Sequence, residues 1–438
     1  MILVNVIKRL WKIMLILQEN KLPKAIFLYF FKKKHSLTIC PVNMYVTINK
    51  LGPLFIKIGQ IISTRDNLIP TRYTEKLKKL YDSTMPFKSA LIKNTIQKNY
   101  NTKLEHIFKN FSNTPIAAAS ITQIHTCFLI KEKKKVIIKV ICEHTRDNIK
   151  TDTTIINIIT HMFTLFTKSQ TTKKIKNIVE ELQKIIKEEQ DLRIEAANTH
   201  IIKKNLKPYN VVIPHIFWPY VNANIIIAEH IVGIPLYKLD KIKKHKIKLD
   251  TIAKQYVELF FLQVFTQRFQ ADMHPGNILV KKRKNNILTL VLLDFGITGV
   301  LNNKNKVYML ENILAFVNGN YKKIAKLHKK ENTIKKNIPI TEIETTLCYT
   351  WEPILNKKSK DIPFANLVKN LIEVARKFGL VLKPQLLLFQ KTLTTVEGVS
   401  RSLDPNINLW EIIKPLISVE LVKNILTASK LYKYIQKK

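Results

Sequence analysis

The chain has 438 residues, of which 46% are hydrophobic, and its formal net charge is +41. The apolar content excludes a disordered protein and the length allows two or three domains, while four dispersed cysteines without a C-x-x-C pair exclude a disulfide scaffold. The lysines are scattered along the chain without a nucleic-acid recognition motif, so we expect no nucleic-acid partner and instead attraction to an anionic membrane surface.

The first predicted element is an amphipathic helix from Met1 to Leu17. Three basic residues between positions 8 and 12 interrupt its apolar sequence, so it does not have the pattern of a secretory signal. Two interpretations stay open, because such a helix can lie on a membrane surface or pack on the domain. The longest uncharged stretch, residues 208–228, contains prolines and asparagines and predicts buried strands and turns. We therefore expect no transmembrane segment.

Residues 51–70, LGPLFIKIGQIISTRDNLIP, predict a helix that begins near Pro53 and ends by Pro70. Lys57 and Gln60 are three positions apart and therefore share one face of this helix. In most helices such long polar side chains are simply solvated. Gly59 is unexpected at this place because a glycine inside a helix costs about 1 kcal/mol relative to alanine. Close approach of another surface would explain it.

Residues 115–130 and 134–141 predict two strands that flank a tight turn. The second strand contains VIIK, which matches the kinase V-A-I-K strand whose lysine holds the α- and β-phosphates of ATP. Lys139 is therefore the candidate lysine, although a lysine at a strand end is ordinarily just solvated. The glycine-rich loop of ordinary kinases is missing, and in its place stand Ala117, Ala118, Ala119 and Ser120. Alanine keeps the backbone farther from phosphates than glycine does, so we expect altered nucleotide handling.

An acidic segment lies in the second of two predicted helices, residues 145–167 and 172–205. An ordinary kinase needs one glutamate here to pair with the strand lysine, and Glu195, followed by two alanines, suits that position. Glu189 and Asp191 are additional acids that could reach a metal ion or another lysine. The alternative interpretation, a charged face of a surface helix, stays open.

The segment that follows predicts further strands between residues 211 and 236, with a connector from Glu229 to Gly233. An apolar helix is expected over residues 250–269. After Gly299 the pattern is helical to the end, including an amphipathic helix at 383–405 that stops at Pro405.

The most informative stretch runs from Gln270 to Gly296. Asp272 and Asn277 are five positions apart, and Asp294 follows one strand-like run and precedes Phe295 and Gly296. This spacing matches the kinase catalytic loop H-R-D-x-x-x-x-N followed by D-F-G, although Gln270 replaces the histidine. Phosphoryl transfer needs one carboxylate near the attacking oxygen, here Asp272, and an amide with a second carboxylate to hold Mg²⁺, here Asn277 and Asp294. The alternative is a polar turn and a hairpin strand.

With these residues in view, the chain resembles the UbiB family of atypical kinases from the LGPLFIKIGQ segment to about Leu409. The motifs that carry the resemblance are KIGQ (57–60), AAAS (117–120), EQD (189–191), ADMHPGN (271–277) and LDFG (293–296). The resemblance implies an α+β, protein-kinase-like two-lobed fold. It implies an N-terminal helical extension at 1–110, an N-lobe at 111–232 and a mostly helical C-lobe at 233–438.

The resemblance also implies roles for the family motifs. Lys57 and Gln60 are expected to point into the nucleotide site, where Lys57 engages Glu189, and Asp191 belongs to the same gating motif. ATP and Mg²⁺ are the implied cofactors, and the alanine-rich loop is expected to tune nucleotide preference. ATP hydrolysis is implied in preference to phosphorylation of other proteins. The change to Gln270 is expected to alter the rigidity of the loop while retaining its chemistry.

The implied function is an atypical kinase or ATPase that is required for, or regulates, ubiquinone biosynthesis at the inner membrane. The implied partners are the membrane surface and either quinone-biosynthesis enzymes or polyprenyl quinone precursors, with a dimer as a further candidate assembly. Bacterial members usually continue into C-terminal transmembrane helices, which this sequence lacks, so peripheral attachment to the cytoplasmic face is expected. Two other functions stay open: a small-molecule phosphotransferase, and a non-catalytic, lipid-binding regulator that senses nucleotide.

Overall fold

The structure is a computed structural model, and it divides into two compact units. It describes residues 2–19, 40–63, 70–81, 86–119, 121–166, 176, 179–180, 183–184, 186–187, 189–282, 288–330, 338–355, 373, 378 and 384–435. Unit 1 consists of residues 1–196 and 215–230, and unit 2 consists of residues 197–214 and 231–438. No helix within the described ranges is long and apolar enough to cross a bilayer.

Unit 1 begins with helices. They are α1 (Ile2–Glu19), α2 (Pro41–Leu51), α3 (Pro53–Ser63), α4 (Thr71–Lys78), a 3₁₀ turn (Lys79–Tyr81), α5 (Ser89–Tyr100) and α6 (Leu104–Ile107). Helix α3 begins at Pro53, as predicted, and its predicted end near Pro70 lies partly outside the described residues. A proline at the first helical position loses no hydrogen bond, because the first N–H groups of a helix have no internal partner.

Gly59 allows α3 to lie very close to its neighbours. A Cβ atom added at Gly59 would be 2.5 Å from Leu80 Cδ1 and 3.1 Å from Ile48 Cγ2. The expectation that another surface approaches this glycine is therefore confirmed. The space that a side chain would fill is occupied by α2 and by the 3₁₀ turn.

The sheet of unit 1 is antiparallel and follows the order β1-β3-β4-β6, with β2 paired to β3. Its strands are β1 (Phe108–Lys109), β2 (Ala117–Ala118), β3 (Thr122–Leu129), β4 (Lys134–Ile141) and β6 (Ile225–Glu229). The predicted strand over 115–130 is therefore two strands, because a turn closed by Ala119 N–H donating to Thr122 O interrupts it. Strand β4 lies between β3 and β6, so both of its edges are paired.

Alternation along β4 separates its side chains into two environments. Val136, Ile138 and Val140 enter one apolar cluster. Ile141 enters the other, which includes Leu192 and Ala196. Lys139 alternates with Ile138 and Val140 and therefore lies on the face of the sheet that carries the second cluster.

The helices described after strand β4 include α7 (Glu143–Phe166) and α8 (Leu192–Asn205), and described residues between them, such as 186, 187 and 189, are also helical. The prediction of one helix over 172–205 is wrong at residues 190–191, which are not helical. The reason is local: Asp191 accepts a hydrogen bond from the backbone N–H of Arg193, which is how a short polar side chain starts a new helix. The boundary between the two units falls inside α8, after Ala196.

Unit 2 holds the largest apolar core and is mostly helical. Its further helices are α9 (Leu239–Lys244), α10 (Leu249–Phe265), α11 (Asn303–Val317), α12 (Tyr321–Lys330), α13 (Ile340–Leu355), α14 (Pro384–Leu403) and α15 (Leu409–Ile435). The predicted helices over 250–269 and 383–405 correspond to α10 and α14. The predicted end at residue 269 is wrong, because α10 ends at Phe265, Gln267 has a left-handed φ of 66° and residues 268–270 form a strand. Aromatic rings at the centre of this core stack or meet edge to face, including Phe260, Phe269 and Phe389.

Two small sheets in unit 2 carry the motif-bearing loops. The strands are β5 (Val211–Val212), β7 (Ile234–Pro235), β8 (Arg268–Gln270), β9 (Ile278–Lys282), β10 (Leu288–Leu292) and β11 (Thr298–Val300). One sheet follows the order β5-β10-β9-β7 and the other pairs β8 with β11. The pairs β9–β10 and β8–β11 are both antiparallel, so residues 271–277 and 293–297 connect the two sheets.

Candidate functional site

Lys139 forms a buried ion pair with Glu195 in unit 1. Its Nζ donates to both carboxylate oxygens of Glu195 at 2.8 Å, and the side chains are only 10% and 12% exposed. The contact arises because Ala196 and Leu192, in the first turns of α8, pack on the face of β4 that carries Lys139. The structure therefore brings together the two residues that the sequence placed 56 positions apart.

A second ion pair in unit 1 joins the helical extension to the acidic segment. Lys57 Nζ lies 2.5 Å from Glu189 Oε1, and both side chains are largely buried. Gln60, on the next turn of α3, makes a different contact: its amide nitrogen donates to Leu80 O at 3.1 Å inside the extension. Lys57 thus contacts the acidic segment, and Gln60 forms a hydrogen bond within the extension.

Asp191 serves the start of α8. Its carboxylate accepts from the guanidinium of Arg193 at 2.6 to 3.2 Å. These hydrogen bonds hold the pKa of Asp191 below its ordinary value, and the nearby charge of Arg146 lowers it further. Asp191 is therefore a cap and ion-pair residue in this structure, whereas Glu189 is the acid that contacts Lys57.

The alanine-rich segment lies at the turn between β2 and β3. Ala117 and Ala118 form β2, and Ala119 N–H donates to Thr122 O at 2.8 Å across the turn. Ala117 and Ala119 are exposed. Ser120 lies outside the described residues.

In unit 2, Asp272 and Asn277 lie at the two ends of one short loop. The amide nitrogen of Asn277 donates to the backbone carbonyl of Asp272 at 3.2 Å and to its Oδ2 at 3.3 Å. The loop reverses through a 3₁₀ turn at Pro275–Asn277, where His274 Nδ1 accepts from Gly276 N–H. Since the nitrogen of Asn277 faces Asp272, its Oδ1 is the atom that could ligate a cation.

Asp294 has a backbone conformation that most residues avoid. Its φ is 55°, in the left-handed region where aspartate, asparagine and glycine are best tolerated. Its Oδ1 accepts from Gly296 N–H at 3.0 Å, which stabilises the turn that follows β10. The next residue, Phe295, is buried, while the side chain of Asp294 is exposed.

Gln270 joins these two segments. Its amide nitrogen donates to Leu293 O at 2.6 Å and to Asp294 O at 2.7 Å, the carbonyl oxygens of two consecutive residues. Since both neighbours are acceptors, the nitrogen must face them, and Oε1 is buried without a partner in the described part of the chain. The residue that departs from the kinase template thus supplies a direct link between the catalytic-loop strand and the Asp294 turn.

Three supporting residues were not identified from the sequence. The hydroxyl of Tyr256, on α10, donates to Met273 O. The hydroxyl of Thr392, on α14, donates to Ala271 O at 3.0 Å. The backbone is therefore held on both sides of Asp272. Burial raises the pKa of Tyr256, and the charge of Asp272 raises it further. Asn198 of α8 donates to Phe295 O at 3.1 Å. Of these three residues, only Asn198 could have been suggested by the sequence, because it lies about one helical turn after Glu195 and therefore on the same side of the helix.

The donor atoms of unit 2 suit Mg²⁺. Asn277 and Asp294 offer amide and carboxylate oxygens, the hard ligands that this ion prefers, and Mg²⁺ usually takes its remaining ligands from water and phosphates. A cage of three or more His, Cys, Asp or Glu side chains is not found among the described residues. One amide and one carboxylate oxygen suit an ion that takes its remaining ligands from water and a phosphate substrate.

Several known proteins are similar to this chain over most of its length. A family model described as the ABC1 atypical kinase-like domain matches residues 79–328, and one described as the UbiB helical domain matches residues 347–408. A "Probable protein kinase UbiB" from Blochmanniella pennsylvanica is 34% identical over 393 residues, which cover 89% of this chain and 72% of the relative. A protein of the same name from Aeromonas salmonicida is 32% identical over 426 residues, which cover 94% of this chain and 78% of the relative.

The fold of this chain is also similar to that of a solved structure. The complex structure of Rv3197 with erythromycin from Mycobacterium tuberculosis matches with a TM-score of 0.50 and 20% identity, covering 83% of this chain and 95% of that chain. At this identity the similarity concerns the fold alone. With the matched kinase-like domain, it confirms the predicted α+β, kinase-like two-lobed fold.

Proposed function

The chain belongs to the UbiB family of atypical kinases, and from this premise we propose that it is an ATP-dependent kinase-like enzyme that serves ubiquinone biosynthesis. The observation that carries the proposal is the ion pair between Lys139 and Glu195. A lysine is rarely buried inside a sheet unless its charge is needed, because taking the ammonium out of water is costly. A kinase needs this lysine, fixed by a glutamate, to hold the phosphates of ATP.

In the proposed mechanism, unit 1 contributes the groups that bind the nucleotide. Lys139 donates to the α- and β-phosphates while Glu195 fixes the position of its ammonium group. The alanine-rich segment, Ala117 to Ala119 with Ser120, tunes nucleotide preference, since methyl groups hold the backbone away from phosphates. Lys57 and Glu189 gate the site together with the other motif residues, Gln60 and Asp191.

Unit 2 contributes the groups that act at the γ-phosphate. Asp272 orients the attacking hydroxyl or water, because a carboxylate accepts a hydrogen bond from either nucleophile. Asn277 and Asp294 would hold Mg²⁺, which would neutralise phosphate charge there. Gln270, Tyr256 and Thr392 hold the backbone of these loops and leave the chemistry to the side chains above.

Hydrolysis of ATP by the purified protein tests the enzymatic part of the proposal. We expect phosphate release in the presence of Mg²⁺ and a loss of about 100-fold or more in Asp294→Asn. Asparagine tolerates the left-handed backbone, so this variant removes the charge without adding strain. Asp240→Asn, an exposed residue of α9, is the matched control and should keep wild-type turnover. Undiminished turnover in Asp294→Asn would refute the metal-binding role.

The ATP-hydrolysis assay also distinguishes the proposed enzyme from the two alternative functions. A non-catalytic regulator would bind ATP without turnover, even with membranes and quinone precursors present. A small-molecule phosphotransferase would hydrolyse ATP slowly alone and much faster with a soluble hydroxyl compound such as an aminoglycoside or choline.

The pathway part of the proposal places the protein peripherally on the cytoplasmic face of the inner membrane. Its partners there are quinone-biosynthesis enzymes or polyprenyl quinone precursors, and a dimer is a further proposed assembly. Deleting the gene and profiling quinone precursors tests this assignment. Normal ubiquinone levels in the deletion strain would remove it, whereas accumulation of a prenylated precursor would support it.

A further inference from the structure

Helix α1 is apolar on both its protein-facing and its outward face. On the protein-facing side, Val6, Ile13 and Ile16 are buried in a cluster with Leu51 and Ile155. Arg9 lies on the same side, where its guanidinium donates to both carboxylate oxygens of Asp152 at 2.6 and 2.8 Å. These contacts with α2 and α7 fix the rotation of α1 about its own axis. They therefore decide which residues face outward.

The outward face carries a stripe of large apolar side chains. We call it the α1 stripe, and its members and exposed fractions are Val4 52%, Ile7 52%, Trp11 67%, Met14 59% and Leu15 47%. At about 100° per residue these five positions fall within roughly a third of the helix circumference. A surface helix of a water-soluble fold normally presents polar residues on this side. The stripe therefore indicates a partner that covers it.

The residues next to the stripe identify the chemistry of that partner. Lys8 and Lys12 are exposed and follow Leu15 around the helix on one border. Lysine beside an exposed tryptophan and aliphatic side chains is the composition of a helix that lies at the boundary between lipid head groups and acyl chains. Helix α7, on which α1 packs, also exposes Ile158, Ile159 and Met162.

We propose that the α1 stripe docks the protein onto an anionic lipid bilayer, with its apolar side chains in the acyl boundary and Lys8 and Lys12 at the head groups. The inference deepens the membrane attachment proposed above and is independent of ATP turnover. Pairing of two stripes between copies of the chain would bring like charges together on molecules of formal net charge +41. An anionic bilayer instead provides a complementary charge.

Vesicle flotation with the full chain tests the apolar contribution. Vesicles of phosphatidylcholine and phosphatidylglycerol in equal amounts are compared with pure phosphatidylcholine. We expect Ile7→Gln/Trp11→Gln to bind the mixed vesicles at least ten-fold more weakly than wild type. The matched control is Val419→Gln/Val422→Gln, which removes two equally exposed apolar side chains from α15. Wild-type binding by the α1 variant, or an equal loss in the control, would overturn the proposal.

The lysines are tested separately. Lys8→Gln/Lys12→Gln should weaken binding to the mixed vesicles about ten-fold and make it less sensitive to salt, since each basic residue near an anionic surface adds to the attraction. Equal binding of the wild type to pure phosphatidylcholine would overturn the choice of an anionic bilayer.

Two further measurements test whether Trp11 enters the bilayer and whether the variants remain folded and active. Brominated acyl chains should quench the tryptophan fluorescence of Trp11, because only a ring inserted among the acyl chains contacts the bromine atoms. The Trp11→Phe variant lacks this component of the fluorescence and is the reference. Thermal melting should be unchanged in the exposed-site variants, and ATP turnover without vesicles should match wild type in Ile7→Gln/Trp11→Gln. A dimer that this variant converts to monomer, together with no vesicle binding by wild type, would assign the stripe to a second copy and refute the proposal.

Discussion

The side chains of Lys139 and Glu195 are largely buried, and their opposite charges compensate each other. Removing one partner of such a pair leaves a buried charge, which typically costs about 3–5 kcal/mol. We predict that Lys139→Met lowers ATP affinity at least ten-fold and also lowers the melting temperature. Lys135→Met, at an exposed position of the same strand, should change neither. Equilibrium nucleotide binding and calorimetry measure both effects, and unchanged ATP affinity in Lys139→Met would contradict the assignment.

Thr392 acts on the backbone next to Asp272. Its hydroxyl has one proton and two nearby acceptors, Ala271 O and Leu388 O of its own helix. We predict that Thr392→Val lowers kcat about ten-fold while the KM for ATP changes less than two-fold, because the loop that carries Asp272 loses an anchor and the phosphate-binding lysine is untouched. Steady-state hydrolysis measures both constants.

Two comparisons make the Thr392 test specific. Thr392→Ser keeps the hydroxyl and should restore kcat. Thr394→Val, at an exposed position where the hydroxyl donates to Gln390 O of the same helix, should keep wild-type kinetics. A Thr392→Val variant with wild-type kcat would show that the hydrogen bond to Ala271 has no catalytic consequence.

Single residues differ in how well the sequence reveals them. Asp272 and Asn277 were predicted because their spacing is set by one loop, and Lys139 because a strand motif marks it. Thr392 could not be predicted, since it contacts Ala271 across 121 positions and a threonine inside a helix has no distinctive pattern. The contacts of Gln270 were also hidden, because the sequence shows the replaced histidine but not which carbonyls the amide would reach.

At the scale of elements, the packing of α3 depends on Gly59. We predict that Gly59→Ala destabilises the protein by about 1–3 kcal/mol, because the new methyl group would overlap Leu80 and crowd Ile48. The matched control is Gly398→Ala in α14, where the added Cβ would have no atom of the described residues within 4 Å apart from its chain neighbours and its own helix backbone. That change should stabilise the protein by up to about 1 kcal/mol through helix propensity. Urea denaturation distinguishes them, and equal midpoints would contradict the packing argument.

His328 makes the contact between α11 and α12 sensitive to acid. Its Nδ1 lies 2.6 Å from the hydroxyl of Tyr308, and burial lowers its pKa to about 4. The unfolded chain binds a proton near pH 6.5 and the folded chain does not, so stability is present above about pH 6.5 and is lost as the pH falls toward 4. We predict that wild type loses more thermal stability than His328→Asn between pH 7 and pH 5. Parallel loss in both proteins would contradict this origin.

Elements with strong patterns were predicted well, and their interruptions were not. The apolar sequence of α10 and the proline that follows α14 place those helices within a few residues, and Pro53 marks the start of α3. The break at Asp191 was missed, because a run of acidic and aliphatic residues suits a continuous helix as well as two helices. Hydrogen bonds from Arg193 decide between them, and these depend on a local geometry that the sequence pattern does not encode.

At the scale of the whole molecule, the charge of +41 should oppose folding through self-repulsion. Salt weakens repulsion between exposed charges, while buried pairs such as Arg9–Asp152 are screened much less. We therefore predict that the melting temperature rises by a few degrees when NaCl increases from about 20 to about 200 mM. Sucrose of the same osmolality is the comparison that isolates ionic screening. A fall in melting temperature with salt would show that attractive surface pairs outweigh repulsion.

The polypeptide crosses between the two units three times, after residues 196, 214 and 230. Strand β6, at residues 225–229, pairs along β4 and closes the sheet that holds Lys139. On the ribosome, the sheet that begins at Phe108 therefore cannot be completed until about residue 230 has left the exit tunnel. A nascent chain released earlier would expose the open edge of β4 to chaperones or to other nascent chains. The order of synthesis thus places a vulnerable interval between the emergence of β4 and the emergence of β6.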